Sequence, residues 1–235
     1  MFLVGRSRES LDRAIAELGE NAVGVTGDAT ESETAEQAVE QAARQFGSID
    51  GLYHVAGGSG RSAGDGPLHE LTDEGWEFTV NLNLSSVIFS NRAMVRYLRE
   101  NKRPGVILNM GSVLGDSPSP RYFSTHGYAA TKAAIAGFSK SIASYYAADG
   151  IRVNVIAPAL VETPMSERAR GNEEIQSFIR TKQPLEGGRM GVPGDLDEAV
   201  VFLLGDGSRF MTGQVVTVDG GWSVSEGQLP EGADS

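Results

Sequence analysis

The stretch Val106-Ile107-Leu108-Asn109-Met110-Gly111-Ser112 decides the fold of this chain of 235 residues. Its apolar run is short and continuous, which is typical of a strand covered on both faces of a parallel sheet. A helical pattern follows over about residues 128–148, and Gly150 stands where a C-terminal glycine cap is expected. A second apolar strand covers residues 153–156. A strand, a helix and another strand in this order predict a parallel β-α-β unit.

The same alternation extends over the rest of the chain. Further strands are predicted at residues 2–4, 22–26, 51–56 and 215–218, and further helices through Leu11 to about residue 18, from an N-cap at Ser32, over 76–98 and over 195–204. Between 163 and 191 the chain is polar with weak periodicity. These units predict one α/β domain over residues 1–222, a doubly wound, Rossmann-like parallel sheet, followed by a polar tail at 223–235.

Composition limits the classes of function. The apolar fraction of 40% suits a globular core, whereas a formal charge of −11 argues against a nucleic-acid partner. There is no cysteine, and the three histidines lack metal-ligand spacing, so we predict no metal site. No apolar run approaches the roughly 18 residues that span a bilayer. We therefore expect no membrane partner and, by default, a cytoplasmic protein.

Tyr128 and Lys132 are four residues apart in a helical pattern, so they share one face of the helix. A cation beside a phenol favours the phenolate and lowers the pKa of the tyrosine. Such a tyrosine can exchange a proton with an alcohol or a carbonyl. The alternative interpretation is an exposed Tyr–Lys pair without a catalytic role.

Ser112 follows the strand of residues 106–110 after a single glycine, Gly111. Ligands of open α/β sheets gather at the carboxyl ends of the strands, and a hydroxyl there can hydrogen-bond a substrate oxygen on which charge develops. A serine in a plain turn is the alternative interpretation.

With the segments at residues 154–165 and 212–221, these residues form a recognisable set. In this order they resemble the short-chain dehydrogenase/reductase family, from residue 1 to about residue 222. The resemblance implies a hydride transfer between a nicotinamide cofactor and a carbonyl or secondary alcohol, and a homodimer or homotetramer. The substrate is then a small molecule, which the segment 165–191 covers as a lid.

The family's catalytic residues fall on four positions of this sequence. Its Tyr-x-x-x-Lys signature falls on Tyr128 and Lys132, and its active-site serine on Ser112. Its structural and proton-relay asparagine falls on Asn83, where the flanking spacings match better than at Asn81. The resemblance implies that Tyr128 is the general acid/base and that Lys132 lowers its pKa and binds the nicotinamide ribose.

The resemblance also implies a set of cofactor contacts at the ends of the strands: Arg6, Asp28, Ala29, Ala56, Gly57, Tyr128, Lys132, Pro158, Ala159, Val161 and Thr163. Two departures from the family pattern lie within or beside this set. His54-Val55 stands for the usual Asn-Asn, and we expect His54 to have a structural role. Ala159 stands for the usual glycine beside the cofactor.

The type of dinucleotide is predicted at the end of the first strand. Gly5 occupies the place where NAD-dependent relatives carry a carboxylate for the ribose, and Arg6 follows it. An arginine without that acid accommodates a 2′-phosphate. We therefore expect NADP, with NAD as the second choice. An ordinary solvated turn at Arg6 is the alternative.

The largest departure is at the start. Family members begin with a strand, a glycine-rich loop and a helix before the segment that here opens at Phe2. Without that unit, we expect unpaired backbone groups on the two strands beside it and no phosphate loop. Two interpretations stay open: a shortened version of a longer protein, or a family member with impaired cofactor binding that acts as a non-catalytic subunit or scaffold.

Overall fold

The computed structural model describes residues 1–227. Within them the chain forms six strands: β1 (Phe2–Gly5), β2 (Val23–Thr26), β3 (Gly51–His54), β4 (Gly105–Met110), β5 (Ile151–Pro158) and β6 (Val215–Val218). The α-helices are α1 (Arg8–Leu18), α2 (Ser32–Phe46), α3 (Asp73–Val80), α4 (Ser86–Glu100), α5 (His126–Tyr146), α6 (Glu167–Arg170), α7 (Glu173–Lys182) and α8 (Asp197–Leu204).

All strand pairs are parallel, but they fall into two separate sheets. One sheet holds β1 and β2, and the other holds β3, β4, β5 and β6 in that order. Within residues 1–227, β1 and β3 therefore each pair on one side only. The same holds for β2 and β6, which are likewise outer strands of their sheets. The two sheets are joined through α2, which packs on α4 and carries Glu36 at 3.0 Å from Arg96.

Helices cover both faces of the four-stranded sheet. On one face Ile107 of β4 packs with Met94 and Leu98 of α4 and with α5. On the other face its neighbour Leu108 packs with Leu203 of α8. Successive side chains of a strand point to opposite faces. A strand that helices cover on both faces therefore has apolar side chains pointing in both directions. The predicted Rossmann-like α/β fold is confirmed.

The helix predicted over residues 76–98 differs from the prediction in two respects. It begins at Asp73, because the Thr72 hydroxyl caps it by accepting from the Gly75 N–H at 3.0 Å. It also contains a π turn at Asn81–Ser85. A π turn inserts one residue into the helix and is found mostly at functional sites.

The segment 163–191 contains helices that its weak periodicity did not predict. α7 begins after Asn172, whose side chain accepts from the Ile175 N–H at 3.0 Å. Ile175 and Ile179 are buried one turn apart, in a cluster with Trp222 and Val113. Since only one narrow stripe of α7 is apolar, charged residues dominate its sequence.

The chain after Trp222 is attached to α7 for as far as the structure describes it. The Thr181 hydroxyl donates to the carbonyl of Gly227 at 2.6 Å, and Lys182 donates to the carbonyl of Ser225. The predicted division at residue 222 stays a prediction, and residues 228–235 of the expected tail lie outside the described residues. No helix within 1–227 has the length and apolar character needed to cross a membrane.

Candidate active site

The first turns of α5 carry the Tyr128–Lys132 pair. Lys132 is only 4% exposed, and its ammonium group donates to the carbonyl of Met110 at 2.9 Å. The Lys132 Nζ lies 5.5 Å from the centroid of the Tyr128 ring. Burial lowers the pKa of Lys132 to about 8, since a charge removed from water is disfavoured.

The pKa of Tyr128 differs from the sequence prediction. Burial raises the pKa of this phenol, and the Ser112 hydroxyl, which hydrogen-bonds it, lowers the pKa in part. The expected lowering by Lys132 is not found. The ammonium group donates to the Met110 carbonyl and lies over the ring, and within residues 1–227 no hydrogen bond joins it to the phenol oxygen.

Ser112 lies at the carboxyl end of β4, beside the phenol of Tyr128. Its Oγ accepts from the Leu114 N–H at 3.2 Å, which fixes the side chain at the start of a short 3₁₀ turn. The preceding Gly111 donates to the carbonyl of Ile156 at 2.7 Å. A β-carbon on Gly111 would lie 2.6 Å from Val155, so the close approach of β5 requires a glycine here.

Asn83 lies in the π turn and is fully buried. Its Oδ1 accepts from the Gly58 N–H at 3.0 Å, and its Nδ2 donates to the carbonyls of Gly58 and Thr79. A β-carbon on Gly57 would lie 2.9 Å from Asn83 Oδ1 and 3.7 Å from Lys132 Nζ. Because Gly57 has no side chain, the space between Asn83 and Lys132 stays open. Asn81, the other asparagine considered for the role of Asn83, is exposed.

His54, at the end of β3, is buried among polar groups. One ring nitrogen contacts the carbonyl of Ala56 at 3.1 Å, and the other is 2.8 Å from the Ser90 hydroxyl. Burial lowers the pKa of His54 to about 4, so the ring is neutral at pH 7. These contacts connect β3 to α4, which agrees with the structural role expected for this histidine.

Four predicted cofactor contacts lie at the end of β5 or shortly after it, at the same edge of the sheet as Ser112. Pro158 ends β5 opposite Val218 of β6. Ala159 donates to the Val218 carbonyl at 3.4 Å, and Val161 forms a bridge with Gly191. The Thr163 N–H donates to the Ser166 hydroxyl at 2.9 Å, just before α6.

Three further predicted contacts lie on the other sheet. Arg6 follows β1, and Asp28 and Ala29 follow β2. Hydrogen bonds from the backbone and hydroxyl of Thr30, and then the nearby charge of Arg6, lower the pKa of Asp28. The structure therefore brings Arg6 and Asp28 together, but on a sheet that is not paired to the one with Ser112.

Sequence reasoning missed one buried carboxylate at the site, that of Asp65. It is 3% exposed and accepts from the backbone N–H groups of Gly127 and Tyr128, at 2.9 and 2.8 Å. The run Gly64-Asp65-Gly66 has the composition of a surface turn. No local pattern distinguishes that turn from a buried one, because the partner lies 62 residues away.

The chain is similar to known proteins over almost its whole length. Residues 2–223 match the family model described as enoyl-(acyl carrier protein) reductase. A curated relative, the 3-oxoacyl-[acyl-carrier-protein] reductase FabG of Haemophilus influenzae, is 36% identical over 226 residues, which are 95% of this chain and 88% of the relative.

Two solved structures are also similar to this chain in fold. The NADH complex of a 3-ketoacyl-(acyl-carrier-protein) reductase from Brucella melitensis has a TM-score of 0.81 and 27% identity, over 95% of this chain and 87% of that one. A gluconate 5-dehydrogenase from Burkholderia cenocepacia, bound to NADP and tartrate, has a TM-score of 0.83 and 26% identity, over 94% and 84% of the two chains.

Proposed function

The chain belongs to the short-chain dehydrogenase/reductase family, and from that premise we propose that it transfers a hydride between a nicotinamide cofactor and a carbonyl or secondary alcohol. One observation carries this proposal. A buried lysine, a phenol and a serine hydroxyl, those of Lys132, Tyr128 and Ser112, converge beside the buried amide of Asn83 at the carboxyl edge of the sheet.

The residues at this edge fit the nicotinamide end of a dinucleotide. The glycine at 57 leaves open the space next to Lys132 that a β-carbon would occupy. Lys132 would hold the ribose hydroxyls by its Nζ, and Pro158, Ala159, Val161 and Thr163 would contact the nicotinamide end. The cofactor, when bound, supplies or accepts the hydride.

Tyr128 and Ser112 do the proton chemistry in this proposal. The Ser112 hydroxyl donates to the substrate oxygen and holds it beside the phenol. Burial raises the pKa of Tyr128, so the phenol carries its proton at neutral pH. A protonated phenol is ready to donate to a carbonyl oxygen that accepts charge during reduction. The phenolate that remains takes the proton back when the reaction runs as oxidation of an alcohol, so one pair of groups serves both directions.

The adenine end supports NADP as the cofactor, with NAD as the second choice. Arg6 follows β1 and lies close enough to Asp28 to lower the pKa of that carboxyl. A β-carbon on Gly5 would meet nothing within 4 Å, which leaves room for a 2′-phosphate. The guanidinium of Arg6 is suited to bind such a phosphate.

The experiment that tests this proposal measures NADPH-dependent reduction of a panel of ketones and 3-oxoacyl thioesters. Tyr128→Phe removes the proton donor, so we expect turnover to fall about 10²–10⁴-fold, the range of general acid catalysis. Tyr145→Phe is the matched control, since Tyr145 lies on the same helix with 72% of its surface exposed, and it should retain full activity. A Tyr128→Phe enzyme as active as the wild type would exclude the assignment.

The split sheet supports a second candidate, a non-catalytic subunit that assembles with copies of itself. The residues proposed for the adenine end of the dinucleotide follow β1 and β2. These strands are not paired to the four-stranded sheet that leads to Ser112. In that case the chain would fold and associate as a dimer or tetramer but show no turnover with any substrate of the panel. The turnover assay separates the two candidates, and light scattering reports the assembly that both predict.

A further inference from the structure

The N-terminus of α5 has an unusual cap. Thr125 occupies the N-cap position, but its side chain makes no capping hydrogen bond. The second and third helical N–H groups, those of Gly127 and Tyr128, donate instead to the two carboxylate oxygens of Asp65. These are the backbone groups that an N-cap side chain normally satisfies. Asp65 therefore replaces the local cap from a remote segment of the chain.

Packing holds Asp65 in place from two sides, at its carboxylate and at its backbone. A β-carbon on Gly127 would lie 3.1–3.2 Å from the carboxylate atoms of Asp65. A β-carbon on Gly75 of α3 would lie 2.7 Å from the Asp65 backbone nitrogen. Both neighbours are glycines, so α3 and α5 approach Asp65 more closely than any other residues would allow.

Asp65 also lies near the end of the loop of residues 57–66. The start of this loop is bonded to Asn83, the predicted catalytic asparagine. Gly58 is bonded to Asn83 at the start of this loop, and Asp65 is bonded to Tyr128 at its end. The Asp65 N–H donates to the Gly60 carbonyl at 3.0 Å, which closes the loop on itself. This loop thus connects two of the four predicted catalytic residues through hydrogen bonds at both of its ends.

Within residues 1–227, no lysine, arginine or histidine side chain lies within 4 Å of the Asp65 carboxylate. Its partners are backbone N–H groups at the positive end of the α5 dipole. A buried negative charge is thus held at the backbone of Tyr128 by groups that cannot move independently of the helix.

We propose that Asp65 is a positioning residue for the proposed reaction, which sets the place of Tyr128 relative to Ser112 and couples it to the 57–66 loop. The inference rests on the proposed function. It assigns Asp65 two separable effects on Tyr128. The hydrogen bonds fix where the phenol stands, and the charge opposes ionisation of the phenol.

The test is Asp65→Asn, which keeps one acceptor oxygen and removes the charge. We expect kcat to fall on the order of tenfold to a hundredfold, as for a small misplacement of a reacting group, with unchanged affinity for NADPH. The pKa of the Tyr128 phenol should also fall. It is measured by ¹³Cζ-tyrosine NMR, in which Tyr128→Phe identifies the one signal of interest among six tyrosines.

The control is Asp73→Asn, which changes an exposed acid in the first turn of α3 and should alter neither quantity. If kcat and the phenol pKa of a folded Asp65→Asn protein both equal those of the wild type, the inference is wrong. Should the wild-type chain show no turnover, the proposed function fails, but the NMR titration still decides whether Asp65 acts on Tyr128.

A second variant separates positioning from plain helix capping. Asp65→Ala with Thr125→Asp supplies a local N-cap carboxylate but leaves the 57–66 loop detached from Tyr128. We expect the melting temperature to recover toward the wild-type value while kcat stays low. Full recovery of kcat would show that any cap suffices and would overturn the positioning role.

Discussion

Burial of Lys132 is unfavourable for stability, but it brings the ammonium group to the proposed active site. Its ammonium group is buried and makes one hydrogen bond, to the carbonyl of Met110. The sequence spacing predicted that Lys132 and Tyr128 share one face of a helix, and in the structure the ammonium group lies over the Tyr128 ring. It did not predict that burial outweighs the cation in setting the pKa of the phenol, because spacing along a helix carries no information on depth.

The pKa of Lys132 gives a stability prediction. Its value of about 8 in the folded chain lies below the ordinary 10.5, so the unfolded chain binds the proton more readily. The buried charge thus costs about 3 kcal/mol below pH 8, and this cost disappears as the pH rises to 10.5. Lys132→Met should abolish activity yet stabilise the fold at pH 7 by roughly 1–2 kcal/mol, after about 1 kcal/mol for the lost hydrogen bond.

Urea denaturation at pH 7 and at pH 10.5 measures this effect. The gain of Lys132→Met should be present at pH 7 and absent at pH 10.5. Lys140→Met, at an exposed position of the same helix, should show no such gain. A Lys132→Met protein that is less stable than the wild type at pH 7 would contradict the calculation.

At the scale of elements, β3 and α4 are connected by the polar contacts of His54. Its ring lies between the carbonyl of Ala56 and the hydroxyls of Ser86 and Ser90. A strand end and a helix are thereby joined at the position where Asn83 and Gly57 meet. The sequence indicated a structural role for His54, but its partners on α4 could not be read from local patterns.

A pH dependence of stability follows from His54. Its pKa of about 4 in the fold lies below the 6.5 of a free histidine, so the unfolded chain binds a proton that the folded one excludes. Stability is therefore lost as the pH falls from 6.5 to 4, by up to about 3 kcal/mol. His54→Asn, whose amide does not titrate, should lose less stability over this range.

Urea denaturation at pH 7, 5.5 and 4.5 measures the slope. His69→Asn is the control, because the side chain of His69 is 80% exposed and its replacement should leave the slope unchanged. Equal slopes for the wild type and His54→Asn would rule out His54 as the titrating group.

The elements differ in how well their sequences predict them. β4 and β5 are mostly apolar because both of their faces are covered, so they are recognised without tertiary information although Asn109, Arg152 and Asn154 interrupt the runs. The π turn at Asn81–Ser85 and the helix α7 were missed for physical reasons. The π turn depends on the bonds of Asn83 to Gly58, and α7 on burial of a narrow stripe against Trp222. Both are tertiary contacts.

At the scale of the whole molecule, the predicted parallel α/β fold is present, and its strands form two separate sheets. The catalytic candidates gather at one edge of the larger sheet, whereas Arg6 and Asp28 lie on the smaller one. Asp65 was not predicted. A buried acid that caps a helix from 62 residues away leaves no local pattern in the sequence. The relation between the two sheets decides whether the site can bind a dinucleotide.

The measurement that tests the central claim most directly is a titration of the 235-residue chain with NADPH and NADH, followed by nicotinamide fluorescence and by melting temperature. We predict saturable binding, tighter for NADPH, and stabilisation of about 2.7 kcal/mol at a ligand concentration about 100 times the Kd. Lys132→Met should weaken it, whereas Lys140→Met should not. A well-folded chain that binds neither dinucleotide would contradict the account and leave the non-catalytic alternative.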